Sequence, residues 1–375
     1  PKKTPNKRTA SPASARTKSA RTHLREDAGR REMRARRFES EQAAFEREQE
    51  DDMQAALAST SLAGRLGAAH LTSPAGALGT LPPPDPNVID WDEYTVVGTS
   101  TKLEKPYLRL TSAPDPKTVR PLATLRQTLE LLKQKWREEN NYAYICDQFK
   151  SMRQDLTVQR IKNDFTVQVY EIHARIALEK GDLGEYNQCQ SQLRGLYAYG
   201  LPGHTHEFLA YRILYLLHTR NQRDVNALMA ELTTEDKLQP AVAHALAVRA
   251  AMRAGNYHQF FRLYHGAPNM NAYIMDHFVE RERIQALTIL SRALRPSCAL
   301  SFIASELGWD SIDEADAFLR AHGAACYVDS GAALGDTRWD ARAALDALVR
   351  AAARFRKVDV RGLRRMQLTQ IKGQL

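Results

Sequence analysis

The 375-residue sequence predicts a mainly α-helical fold, an antiparallel helix-turn-helix solenoid that ends in a small helix-helix-strand module. Three observations predict it. Phe165, Val169, Ile172 and Ile176 follow at intervals of 4, 3 and 4, which places all four on one helical face with His173 beside them. Helix stops recur at positions 181, 221 and 255, 40 and 34 residues apart, the period at which stacked helix pairs bury one another's apolar stripes. After Arg295-Pro296 this repeat gives way to shorter elements.

Taken in chain order, residues 1–24 carry Lys, Arg, Ser, Thr, Ala and Pro without apolar mass and are expected to be a disordered basic arm. Residues 25–58 read as a charged, solvent-facing helix, and 59–94 as a linker stiffened by Pro82-Pro83-Pro84 and loosened by glycines. The repeat region runs over 95–295, its solenoid clearest from 118 to 290. Its stops are Gly181-Asp182, Arg220-Asn221 and Gly255-Asn256, with glycine suited to the left-handed cap and a new helix expected after each. Residues 296–339 read as a winged-helix module: a helix over 297–307, a second over 311–322, a strand over 324–328 and a glycine-containing loop up to Trp339. A basic helix over 341–366, within a tail of 340–375, is expected to leave the domain.

Charge is concentrated at the ends. Residues 1–37 carry 13 basic and 3 acidic side chains, residues 338–375 carry 10 and 3, and the 300 between carry 30 and 38, within a net charge of +9. A polyanion would be gripped by the ends, because counterion release needs clustered Lys and Arg. No apolar run reaches the length that crosses a bilayer. Cys146, Cys189, Cys298 and Cys326 lie far apart without a CxxC pair, which fits a reducing compartment better than a disulfide or zinc framework. The chain starts with Pro, so a processed or truncated start is expected.

No phosphate-binding glycine loop, nucleophile elbow or HExxH is present, and no enzyme and no cofactor is expected. His204-Thr-His206-Glu207 lacks a third ligand nearby and reads as a loop leading into a helix. Cys146 and Cys189 read as buried structural thiols, His173 as a core histidine, and Tyr257, Phe260, Phe261 and Tyr264 as packing between repeats.

The stretches 150–161, 170–182 (Tyr170-Glu-Ile-His-Ala-Arg-Ile-Ala-Leu-Glu-Lys-Gly-Asp182) and 186–190 resemble the GANP-type PCI family of messenger-RNA processing and export scaffolds. Tyr107-Leu-Arg-Leu-Thr111, Tyr211-Arg-Ile-Leu214, His244-Ala-Leu-Ala247 and 255–264 point to its leukocyte receptor cluster member eight branch, and the likeness spans roughly 95–330. The resemblance implies a PCI solenoid ending in a winged helix, paired with a second PCI-domain protein and a small acidic Sem/DSS-type subunit. It also implies a nuclear, non-catalytic role on RNA and possibly DNA, in transcription elongation, splicing or export. The alternative is a structural subunit of a proteasome-lid, signalosome or initiation-factor-like assembly. Such a subunit would not need the two basic ends.

Asp310, Asp313, Glu314 and Asp316 make the start of the second module helix acidic, which argues against groove reading by that helix. Phosphate contacts are expected instead from Arg292, Arg295, Arg320 and Arg338, and from Arg350, Arg354, Lys357, Arg361 and Arg364, which recur at 4, 3, 4 and 3 on one helical face. Leu300, Phe302, Ile303, Trp309 and Tyr327 exceed what so small a module buries alone, and are expected to meet the protein partner.

Overall fold

The computed structural model describes residues 95–328 and 335–358. The arm, charged helix and linker expected before residue 95 lie outside the described residues, as do Arg361 and Arg364. The described part holds fourteen α-helices. Four make the first half: α1 (Leu122–Glu139), α2 (Tyr142–Val158), α3 (Asp164–Lys180) and α4 (Leu183–Ala198). Then come α5 (Thr205–Thr219), α6 (Gln222–Glu231), α7 (Thr234–Leu238), α8 (Pro240–Ala254), α9 (Tyr257–His265), α10 (Asn271–Met275) and α11 (Val279–Ala293).

Four of the helix boundaries share one local device. A residue in the left-handed region ends one helix, and the Asp or Asn after it caps the next with its side chain. Gly181 (φ 75°) precedes Asp182, whose carboxylate accepts from the Gly184 and Glu185 amides. Gly255 (φ 66°) precedes Asn256, which accepts from Gln259 N. Arg220 (φ 56°) precedes Asn221 in the same way. A fourth instance, Asn140 (φ 50°) with Asn141 as cap, extends the repeat toward the N-terminus. Each reversal satisfies helix-end amides locally, so the chain doubles back within two residues.

Pairing is sequential in the first half, where α3 packs on α2 and α4, whereas α5 packs chiefly on α8 and α10. Leu125, Leu129 and Leu132 of α1 meet Ile145, Phe149, Met152 and Leu156 of α2 and Phe165, Val169 and Ile176 of α3 in one apolar cluster. Ahead of α1 an extended segment is held across α2 by polar contacts. Arg120, fully buried, donates to Asp155 (2.7 Å), Ser151 (2.8 Å) and the Leu103 carbonyl (2.9 Å), and Lys105 reaches the same Asp155 at 2.7 Å. Gly98 is required here, since a Cβ would lie 2.5 Å from the Val119 carbonyl oxygen. Gly98→Ala should therefore lower the melting temperature by several degrees, roughly 2 kcal/mol, unless the segment peels away. Thermal unfolding by circular dichroism, followed by proteolysis of the 95–119 stretch, would show either outcome.

After α11 the order is β1 (Ser297–Ala299), α12 (Leu300–Glu306), α13 (Ile312–Ala321), β2 (Arg338–Asp340) and α14 (Ala341–Ala353). β1 pairs antiparallel with β2 in the register Cys298 to Trp339, and Tyr327 adds a single bridge to Trp339. Three expectations are corrected. Residues 297–299 are strand rather than the first turn of a helix, because their backbone groups find partners at 338–340. The strand expected over 324–328 is reduced to the bridge at Tyr327. Finally, the basic helix ends at Ala353 instead of running to 366, and it does not leave the domain. It packs along α11, burying Ala341, Ala344, Ala347, Leu348 and Ala351. The Ala341 amide donates to the Pro296 carbonyl (3.2 Å), which fixes α14 antiparallel to α11.

Candidate nucleic-acid interface

Three of the expected arginines are brought together where α11 ends and the small sheet begins. Arg292 lies in the last turn of α11 and Arg295 just beyond it, both exposed. Arg338 on β2 donates to Ser297 Oγ (3.1 Å) and to the Ser297 carbonyl (3.3 Å), two residues from Arg295. None of the three has a carboxylate partner among the described residues, so their charge faces solvent uncompensated. Arg320 differs: it sits on α13 in an ion pair with Asp316 at 2.7 Å and is removed from the candidate set as a free cation.

The expected basic stripe is broken. Arg350 is exposed on α14 and Arg354 is its C-cap, but Lys357 follows the helix end, so no helical face continues through it. Arg342, absent from the expected set, is exposed in the first turn of α14, next to Asp340, which caps the helix through the Arg342 and Ala343 amides.

The expected partner-facing residues are mostly internal. Leu300 and Ile303 are fully buried, and Trp309 packs against Phe318 (5.2 Å) under the Arg283 guanidinium (4.5 Å). Tyr327 is half-buried with its hydroxyl donating to Asp316. Only Phe302 of that set stands clear, at 41% exposure, with Val328 nearby in sequence to the bridge at 56%. The sequence count of apolar residues overstated the surface because α11 and the sheet supply their own cover.

The thiol and histidine candidates belong to the solenoid core. Cys146, His173 and Glu185 offer donor atoms within 4.8 Å of one another. Cations already hold that space: Lys150 lies 2.9 Å and Arg153 3.6 Å from Glu185, while Arg153 donates to Cys189 Sγ at 2.7 Å and lies 3.3 Å from His173 Nδ1. Burial pushes the Cys189 thiol up to about 12 and raises Cys146 too, which leaves both poorly nucleophilic. His204 is the N-cap residue of α5, and its Nδ1 lies 2.6 Å from Glu171. Phe260, Phe261 and Tyr264 are buried, with Phe260 packed on Phe278 at the start of α11.

His173, stacked on Phe149, has its pKa held well below the ordinary histidine value by burial, then by Arg153 and Lys150. The folded chain thus keeps it neutral where the unfolded chain takes up a proton. Its stabilising share is complete above about pH 6.5 and shrinks below it by about 1.4 kcal/mol per pH unit. Urea unfolding at pH 7.5 and 5.5 should show this slope, and His173→Gln should remove one proton's worth of it. An identical slope in the variant would place the titration elsewhere.

The sequence profile of the SAC3/GANP family matches residues 99–183 and 183–327, the span from the extended segment to the bridge. A THP3 homolog of Schizosaccharomyces pombe is 63% identical over 225 residues, which are 60% of this chain and 57% of that protein. The leukocyte receptor cluster member 8 homolog of Xenopus laevis is 51% identical over 231 residues, 62% of this chain and 29% of the relative. SAC3 family protein A of Arabidopsis thaliana is 49% identical over 269 residues, 68% and 26%. The chain thus spans about a quarter to just over half the length of these relatives. With more than half of its residues matched on a helical-repeat scaffold, the chain belongs to the SAC3/GANP family.

Proposed function

We propose that this chain is a non-catalytic nuclear scaffold that binds RNA and pairs with a second PCI-domain protein carrying a small acidic Sem/DSS-type subunit, within transcription-coupled messenger-RNA processing, splicing or export. The observation that supports it most is the uncompensated cluster of Arg292, Arg295 and Arg338 at the solenoid's end. Membership of the SAC3/GANP family supports the messenger-RNA part of this reading. The β1-α12-α13-bridge-β2 order is read as the winged helix that the resemblance implies, with the arginine cluster on its sheet side. Arginine forks suit phosphate, whereas the first turn of α13 is acidic, with Asp313 and Glu314.

Contacts of this kind neutralise phosphates without reading bases. If about five are engaged, log K for single-stranded RNA should fall against log salt at about −3.5, with little sequence preference. Replacing Arg292, Arg295 and Arg338 by Gln should flatten the slope to about −1.4. Fluorescence anisotropy with labelled oligonucleotides reads this directly, and an unchanged slope would separate RNA binding from these residues.

For the protein partner, Phe302 and Val328 are the exposed large apolar side chains among the described residues of the module. Phe302→Asp together with Val328→Asp should abolish co-purification of the second PCI protein while leaving the melting temperature within about 2 °C, since neither side chain is core. Retention of the partner would move the interface off the module.

A further inference from the structure

We infer that the corner where α5 and α14 end, built by Arg220, Arg223, Arg354 and Arg356, is a second phosphate-binding surface that carries an RNA strand on from the Arg292-Arg295-Arg338 cluster. The inference rests on the RNA-binding reading above and extends it from Arg354, already an expected phosphate contact, to Arg220 and Arg223 of the solenoid, which neither the charge count nor the family likeness singles out.

Four observations carry it. Arg220 holds the left-handed position (φ 56°) that glycine fills at 181 and 255 in equivalent reversals. A side chain there costs strain that glycine would avoid, so the guanidinium is kept at some expense to the fold. That guanidinium points across to α14, with Nη1 3.5 Å from the Phe355 carbonyl, which uses one of its five N–H groups and leaves the others free to turn outward. Burial lowers the Arg220 pKa, with Arg281 adding to the shift and Glu282 opposing it.

The carboxylates nearest the corner each have another polar partner. Glu282 pairs with Arg281 at 2.8 Å, Glu280 lies 3.4 Å from His322, and Asp224 accepts from its own cap residue Asn221 at 2.6 Å. Arg354 stands close enough to His322 for its charge to add to burial in lowering that histidine's pKa. Arg223, Arg354 and Arg356 are exposed and have no carboxylate partner among the described residues. The corner therefore carries unmet positive charge, almost all of it arginine.

The occupant follows from what the corner lacks. No large apolar side chain is exposed within 218–226 or 351–358, so there is no anchor of the kind that dominates protein interfaces. Fork-shaped donors without apolar neighbours match a phosphate backbone. The geometry also joins the two sites. α14 starts at the Pro296 carbonyl beside the first cluster and ends at Ala353, two residues before Phe355 in the corner, so its 13 residues set the two about 20 Å apart. Arg342 and Arg350, exposed along it, lie between.

The test uses the full chain and a fluorescein-labelled 20-nucleotide oligouridine, titrated across a salt series. Arg220→Gln with Arg223→Gln should weaken binding roughly fivefold to tenfold and reduce the salt slope by about 1.4, with Arg220→Lys restoring part of the loss. Arg220→Gly separates charge from folding: relief of strain should raise the melting temperature by about 2 °C while RNA binding still weakens. If the corner variants bind like the parent while Arg292→Gln with Arg295→Gln loses affinity, the corner is overturned and the scaffold reading stands. If the parent does not bind the oligouridine, both are overturned. Displacement of the RNA by oligoglutamate at lower concentration than by unlabelled RNA would assign the corner to an acidic protein and overturn it too.

Discussion

A chain ending at Trp339 should lose cooperative unfolding of its C-terminal third, because α14 is a structural wall and not a tail. Leu348 is worth about 2 kcal/mol of burial and each buried alanine methyl up to about 0.8 kcal/mol, so removing α14 forfeits on the order of 5 kcal/mol. The apolar face of α11, with Ile284, Leu287 and Leu290, belongs to the same stretch of core and loses its cover as well. Truncation also removes Asp340, which both pairs with Ser297 across the sheet and caps α14. Total stabilities of domains are about 5–15 kcal/mol, so the loss is a large share. Leu348→Asp makes the same point with the full chain, and should lower the melting temperature by about 10 °C. Dye binding to exposed apolar surface should rise in both proteins. A truncated chain that melts like the parent would show α14 to be dispensable. RNA binding by the tail must accordingly be tested with point substitutions, since deletion confounds contact with collapse.

The second large effect concerns a buried ionic network between the two halves of the solenoid. Arg175 on α3 donates to both oxygens of Glu207 on α5, at 3.0 and 2.7 Å, and reaches Glu171 at 3.4 Å. Glu171 accepts from the Tyr197 hydroxyl (2.6 Å) and the His204 amide (2.7 Å), and Glu207 from the Tyr211 hydroxyl (2.7 Å), which itself accepts from the Met270 amide. Both carboxylates are buried. Arg175→Met would strand them, at a cost of about 3–5 kcal/mol and a fall in melting temperature of about 10 °C. The double variant Arg175→Met with Glu207→Gln should recover part of this, because one of the stranded charges is gone. Burial raises the Glu171 pKa, but contacts with His204 and Arg175 outweigh it and leave it below the ordinary value. Its share of stability is therefore present above about pH 4.5 and lost as pH falls through the lower folded value. A single variant as stable as the parent would contradict this account.

The boundaries of the solenoid were legible because they are local. Gly181-Asp182 and Gly255-Asn256 announce a left-handed stop and a capped start within two residues, whereas Asn140-Asn141 does the same with a residue that tolerates the conformation less conspicuously. The strand at 297–299 was not legible. Ser-Cys-Ala has no strand bias, and its identity is set by partners about forty residues later. Docking of α14 was hidden for another reason: Ala341, Ala344, Ala347 and Ala351 form a shallow buried stripe, while the arginines on the same helix give the stronger pattern. The basic site was half legible. Composition located Arg292, Arg295 and Arg338, but only the fold shows that Asp316 consumes Arg320 and that Arg220 lies beside α14. The apolar partner residues failed most clearly, since periodicity cannot tell Leu300 covered by its own sheet from Phe302 left outside.

Ultraviolet crosslinking of the full chain to single-stranded RNA, with the attached peptides identified by mass spectrometry, tests the scaffold reading most directly. Crosslinks are expected at 290–299, 336–343 and 350–358, with a further set at 218–224 from the α5 corner. Crosslinks confined to the outer faces of α1 to α4, or a yield no higher than that of a neutral control protein, would contradict it.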